Sequence, residues 1–284
     1  MATRLLEYFG TLVAEDVGFP LTEAALAIAQ DAYPDLDLQG CLATIDEFAL
    51  RVRKRIAADA GITQKLQTLN RFFFGELGFG ANLNDYNDPD NSHLNIVIQR
   101  RRGVPTSLAV LYLEISSQLG IPARGVSFPG HFLLRVTTPA GEIMLDPTTG
   151  EALSESRLVD MLEPYVRQHS GESISSVLRT LLMPATDREI VAKMLRTLKS
   201  LYIQTERWQR LLAIQQRLVV LLPERIEERR DRGFAFARLD FFRPAVEDLE
   251  RYLELRPDAD DATVIESQLE ELRQRTRGGD DEAL

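Results

Sequence analysis

One cysteine, Cys41, among 284 residues leaves nothing for it to pair with inside the chain, which excludes a disulfide-stapled secreted domain and points to a reducing compartment. Histidine is nearly as scarce. His93, His131 and His169 are scattered, no Cys/His cluster accompanies them, and neither a metal site nor a cofactor is expected. Positive charge is in deficit: 33 Lys and Arg stand against 43 Asp and Glu, for a net charge of -10 and a pI near 5.0. A general nucleic-acid binder needs a basic surface to neutralise phosphates, so that class is excluded. The N-terminal MATRLLEYFGTLVAED reaches Glu7, Glu15 and Asp16 without a long apolar run, wrong for a signal peptide or a membrane span. A cytoplasmic protein with no membrane association is expected.

What the chain does have is ordinary globular composition, 44% hydrophobic and 27% charged, with enough length for one large domain or two modest ones. From Arg4 to about Gly78 apolar residues recur at helical spacing, as in Phe48, Val52, Ile56 and then Leu66, Leu69, Phe73, Leu77. Pro20 to Thr22 marks a helix start and Pro34 a stop, whereas the Asn/Asp/Gly-rich stretch from Gly78 to Asn91 reads as a surface loop. Asn91 and Ser92 are placed to cap a short helix over Leu94 to Gln99. Arg100, Arg101 and Arg102 form a compact basic run, read as a solvated cluster with an anion or acidic-peptide contact as the alternative. Leu108, Leu111, Tyr112, Ile115 and Leu119 share one face of a helix that starts at Pro105 and ends at Gly120. Strands are expected over Ala123 to Ser127, His131 to Thr137 and Glu142 to Leu145, the last two joined by TPAG as a hairpin, followed by a helix over Ser154 to His169.

From about Pro184 the pattern is helical throughout and repeats itself. LLPERIEE returns as LRPDADDA, and Pro223 and Pro257 stand 34 residues apart, the period of tetratricopeptide repeats. Gly233, Phe236, Ala245 and Leu249 supply the small and apolar positions that let two antiparallel helices pack closely, so this unit resembles one such repeat. The preceding stretch, Ala192 to Pro223, agrees at Tyr202 and Leu218 but carries Lys199 and Leu211 where small residues are usual; it reads as a divergent repeat. The acidic, apolar-poor end is expected to be a frayed tail.

The block from Arg100 to Gly150 carries the chemistry. Gly120-Ile121-Pro122-Ala123-Arg124, then His131 opening a strand, then Asp146-Pro147-Thr148 resemble the core of the transglutaminase-like superfamily. In that family a cysteine at a helix N-terminus, where the helix dipole lowers the thiol pKa, acts with the histidine as base and the aspartate as its orienter. In the family's register the cysteine position falls on Pro105, which has no nucleophile. GVPTSLAVLYLE together with FPGHF resembles the SirB-type branch, in which such a core is joined to tetratricopeptide repeats.

The resemblance implies an α+β fold: a papain- or transglutaminase-like core, a helix packed on a small antiparallel sheet with helices before it, followed by an all-α repeat domain. The boundaries expected are 1–183 for the first domain (helical 1–78, core 91–170), 184–273 for the repeats and 274–284 for a flexible acidic tail. Without the cysteine, the expected function is a non-catalytic protein- or peptide-binding regulatory protein, engaging its partner through the repeats and the degraded cleft. His131, Asp146 and Ser107 are then vestigial, and Arg102, Pro105 and Thr106 are candidates for lining the cleft. The alternative is an amide-bond hydrolase or acyltransferase using Ser107 or Thr106 with His131 and Asp146. A residue two places along a helix is rotated by about 200°, so Ser107 need not point where the cysteine would. A first-turn residue bonding to backbone is its other reading, as a turn residue before Pro147 is for Asp146 and a buried structural thiol is for Cys41.

Overall fold

The computed structural model describes residues 2–15, 18–166 and 174–281. In chain order its elements are α1 (Ala2–Leu12), α2 (Leu21–Ala29), α3 (Leu38–Arg53) and α4 (Ile62–Asn70), which runs into a π-helical turn, Arg71–Glu76. Then come β1 (Gly80–Ala81), a 3-10 turn at Pro89–Ser92, α5 (Leu94–Arg100), β2 (Arg102–Gly103) and α6 (Pro105–Gln118). The sheet strands β3 (Ala123–Phe128), β4 (His131–Thr138), β5 (Gly141–Leu145) and β6 (Ala152–Leu153) follow, then α7 (Glu155–Val166) and α8 (Ile174–Leu181). The chain finishes with α9 (Asp187–Gln204), α10 (Trp208–Leu221), α11 (Ile226–Ala237), α12 (Phe242–Leu255) and α13 (Ala262–Asp281).

Two compact units result, Leu12–Met194 and a second made of Met1–Thr11 with Leu195–Leu284. The division falls inside α9 rather than at the expected 183/184, and α1 groups with the repeat helices rather than with the first domain. Local packing accounts for α1: Phe9 is buried with the Arg217 guanidinium of α10 5.5 Å from its ring centre. The end of the chain also differs from expectation, since α13 continues as helix to Asp281. Of the helix expected over Ser154 to His169, residues 167–169 lie outside the described residues.

In the first unit β3, β4, β5 and β6 form an antiparallel meander, with Gly125 opposite Leu134 and Leu134 opposite Leu145. Pro129-Gly130 joins β3 to β4; proline fixes the first turn position and Gly130, at φ 68°, supplies the left-handed second one. One face of the sheet, through Val126, Phe128, Leu133 and Met144, packs on Leu158 and Leu162 of α7 and Leu178 of α8. Helix α6 contacts β3 and β4 and also α2, α3 and α5. Leu108, Ala109, Val110, Leu111 and Tyr112 are consequently all buried, so α6 is a central helix and not the one-faced amphipathic element its spacing predicts.

In the second unit α10 and α12 have the same length and begin 34 residues apart, at Trp208 and Phe242. The turns before them repeat at the same interval. Glu206 and Asp240 both take left-handed φ (52° and 60°), and Arg207 N bonds Tyr202 O as Phe241 N bonds Phe236 O. These are two copies of one helix–turn–helix unit, followed by α13. A Cβ at Gly233 would lie 2.9 Å from Leu249 Cγ, which shows how closely α11 and α12 approach. At the matching place in the first copy, Lys199 pairs with Glu228 and Asp231 of α11.

Candidate functional site

The start of α6 is fixed by its neighbours before any catalytic question arises. Pro105 is the first helical residue, where its missing N–H is not needed and its φ already suits a helix. Ser107 is fully buried, and its hydroxyl proton is directed at main-chain oxygens, Asn91 O at 2.7 Å and Val104 O at 3.0 Å. Thr106 is buried as well. Gly103 packs so tightly here that a Cβ would come within 2.6 Å of Ser107 Oγ.

Asn91 is the hub of this corner, and nothing in its sequence position marks it as more than a cap. Its main-chain oxygen also accepts from Val104 N at 3.0 Å, and its amide donates to Asp85 O at 2.7 Å. Asn82 Nδ2 donates to Asn91 Oδ1 at 3.0 Å, so the side chain of Asn91 holds the loop before it while its main-chain oxygen holds the start of α6. The capping role expected of Asn91 and Ser92 is thus not observed: both lie in the 3-10 turn, and His93 is the N-cap of α5 with no side-chain bond to the helix.

His131 and Asp146 stand on adjacent strands' ends, but no hydrogen bond joins them among the described residues. Asp146 is satisfied within its own turn, where Oδ1 accepts from Thr148 N at 2.7 Å and Thr148 Oγ1 at 2.6 Å while Gly150 N bonds Asp146 O at 2.8 Å. That is the turn reading of the Asp-Pro-Thr motif. His131 is exposed at the Pro-Gly turn, and its main-chain oxygen accepts from Lys193 Nζ at 2.9 Å. The predicted histidine and aspartate are therefore in the fold where the motif puts them, without the bond that would orient an imidazole as base.

The arginine run is not uniformly solvated. Arg100 pairs with Asp88 (2.9 Å) and Asp90 (3.0 Å), and Arg102 is exposed with its guanidinium on main-chain oxygens of Gly78 and Arg101. Arg101, at φ 60°, lays its guanidinium 4.6 Å from the Phe48 ring centre and 4.9 Å from that of Phe79. Burial, and secondarily Arg51, lowers its pKa. The left-handed backbone at Arg101 turns its side chain inward, and no composition rule signals that. Cys41 is half-buried in α3, with its thiol pKa raised by burial and then by Asp37, which suits an unreactive side chain.

Comparison with known proteins bears on this geometry. The family description "transglutaminase-like superfamily" matches residues 39–196, more than half of the chain, and "tetratricopeptide repeat" matches residues 198–270. The chain belongs to the transglutaminase-like superfamily. A UPF0162 protein of Xylella fastidiosa (strain Temecula1) is 37% identical over 260 residues, covering 91% of this chain and 92% of the relative. A UPF0162 protein of Vibrio cholerae is 28% identical over 254 residues (89% and 92%), and protein SirB1 of Salmonella typhimurium is 26% identical over 251 residues (88% and 91%). No solved structure matches the chain. Among the described residues no helix is long and apolar enough to cross a membrane.

Within the transglutaminase-like unit the α6 helix also borders a cavity at its far end, about 20 Å from Pro105 at 1.5 Å per residue. This space of about 520 Å³ lies against Glu114, Ser117, the Gly120–Arg124 turn and Asp187. Asp187 sits in the first turn of α9, whose start is a capping box: Thr186 N donates to Glu189 Oε2 at 2.7 Å and Glu189 N to Thr186 Oγ1 at 3.2 Å. Burial raises the Asp187 pKa, and Arg124 opposes it. The GIPAR residues thus shape a hollow remote from the helix end that carries the nucleophile in the superfamily's pattern.

Proposed function

We propose that the transglutaminase-like unit is non-catalytic and that the protein binds a protein or peptide partner in a regulatory role. The observation that carries this reading is at α6: proline stands where the family resemblance places the nucleophile, Thr106 beside it is buried, and Ser107 is fully buried and bonded to Asn91 O and Val104 O. A hydroxyl becomes a nucleophile only when a base accepts its proton within about 2.6–3.2 Å, and here main-chain oxygens hold that position. Tetratricopeptide repeats generally mediate contacts between proteins, which supports α9 to α13 as the recruiting element.

The test is covalent. Wild type, Ser107→Ala and His131→Ala are treated with a fluorophosphonate probe and with acyl-transfer substrates carrying glutamine amides. The reading expects no labelling of Ser107 or Thr106 and no turnover above buffer. Time-dependent labelling of either hydroxyl, or turnover lost in both variants while their thermal unfolding is unchanged, sinks it in favour of the hydrolase or acyltransferase.

A further inference from the structure

The repeat unit seats an arginine on an aromatic ring twice, at matching places in its two copies. Trp208 and Phe242 are the first residues of α10 and α12, 34 residues apart. The Arg238 guanidinium, at the end of α11, lies 5.2 Å from the Trp208 ring centre, and that of Arg275, in α13, lies 5.7 Å from the Phe242 ring centre. In both copies the cation comes from the helix that follows the aromatic residue's own. A ring face holds a guanidinium without using up its N–H groups, whereas a carboxylate engages them. Arg196, Arg230, Arg232 and Arg273 of the same unit are engaged in that second way, each with a carboxylate oxygen at 2.6–2.8 Å. Arg238 and Arg275 are not: both are exposed, and neither guanidinium makes an ion pair or a hydrogen bond among the described residues.

The two arginines converge. Both line one hollow of about 450 Å³ bordered by α11 and α13, which Phe234, Ala237 and Leu272 make apolar elsewhere. Glu271, one turn before Arg275, lines it too and pairs with neither guanidinium. Two planar forks of N–H donors, held in place and unspent beside apolar side chains, ask for a ligand that carries carboxylates flanking an apolar group. Glu271 and the net charge of -10 repel a densely charged polyanion, so the spaced charges of a peptide fit better than a nucleic acid.

We propose that this hollow binds an acidic peptide segment, with carboxylates on Arg238 and Arg275 and an apolar side chain against Phe234 and Leu272. The proposal rests on the reading of the repeats as the recruiting element and names the chemistry of what they recruit. Each ring fixes the plane of its guanidinium before the peptide arrives, which lowers the ordering cost of a two-pronged contact with a carboxylate. The site stands whether or not α6 is catalytic.

The experiment titrates the full chain by calorimetry, at fixed ionic strength, with acetyl-Glu-Leu-Glu-Leu-Glu amide and with its Gln-Leu-Gln-Leu-Gln analogue. The acidic peptide is expected to bind about tenfold tighter or more. Arg238→Gln and Arg275→Gln alter exposed side chains and are expected to keep the wild-type urea midpoint, yet each is expected to weaken the acidic peptide about fivefold. The double variant is expected to bind both peptides alike. Trp208 is the one tryptophan in the chain and carries Arg238 on its ring, so its emission is expected to shift when the acidic peptide is added to wild type. No binding of the acidic peptide, tighter binding of a thymidine hexanucleotide than of that peptide, or acidic-peptide affinity unchanged in the double variant overturns the proposal. Equal affinity for the two peptides overturns it as well while leaving the repeats as a peptide-binding element, which separates failure of this site from failure of the recruiting role.

Discussion

Replacing Gly103 with alanine, alone and together with Ser107→Ala, tests whether the Ser107 hydroxyl is a structural group. The added Cβ would sit 2.6 Å from Ser107 Oγ, 3.0 Å from Val97 Cγ1 and 3.2 Å from Asn91 O. Asn91 O cannot retreat freely, since Val104 N holds it at 3.0 Å. Overpacking of this kind costs about 1–3 kcal/mol. Ser107→Ala removes one buried hydroxyl bond, worth about 1 kcal/mol. The two changes should not add, because the second removes the atom that the first strikes. The double variant should be more stable than the sum of the singles predicts by about 1 kcal/mol, beyond the 0.3–0.5 kcal/mol scatter of independent sites. Scanning calorimetry reads this as roughly 2–4 °C per kcal/mol for a unit of this size. Additive losses, or a Gly103→Ala protein as stable as wild type, would refute the packing described around Ser107 and reopen the question of where its hydroxyl points.

In the repeat unit, Gly233→Val should cost about 2 kcal/mol, read as a lower urea midpoint of Trp208 fluorescence, because the added Cβ would lie 2.9 Å from Leu249 Cγ and 3.3 Å from Ala245 O; an unchanged midpoint would mean α11 and α12 are not in close contact. Asp261 carries a pH prediction. Burial alone would raise its pKa, but the Tyr252 hydroxyl at 2.9 Å and the Arg230 guanidinium outweigh it and hold the carboxyl below its ordinary value. A depressed carboxylate stabilises the fold above its unfolded pKa, about 3.9, and the contribution is lost as pH falls through the folded value. The urea-midpoint gap between wild type and Asp261→Asn should therefore be constant above about pH 5 and close as the pH falls below about 4; a gap that persists to pH 3 contradicts the pairing.

Local sequence determined a good deal of this protein. Alternation and turn residues placed β3, β4 and β5 almost to the residue, because side chains on a strand alternate faces and Pro-Gly or Ala-Gly turns leave few ways to join neighbours. The interval between Pro223 and Pro257 likewise announced the paired helices, since each copy must bury the same face. A proline at position 105 needs no coordinates to rule out a thiol there.

Tertiary structure decided what the local pattern had no means to express. Ser107 has a side chain that serves catalysis or a helix start equally well, and its bond to Asn91 O, sixteen residues back in the chain, is made only by packing. Arg101 reads as a solvated charge until the left-handed backbone lays it on Phe48 and Phe79, rings far from it in sequence. The five-residue stripe of α6 underestimates its burial because helices and sheet close on it from several sides.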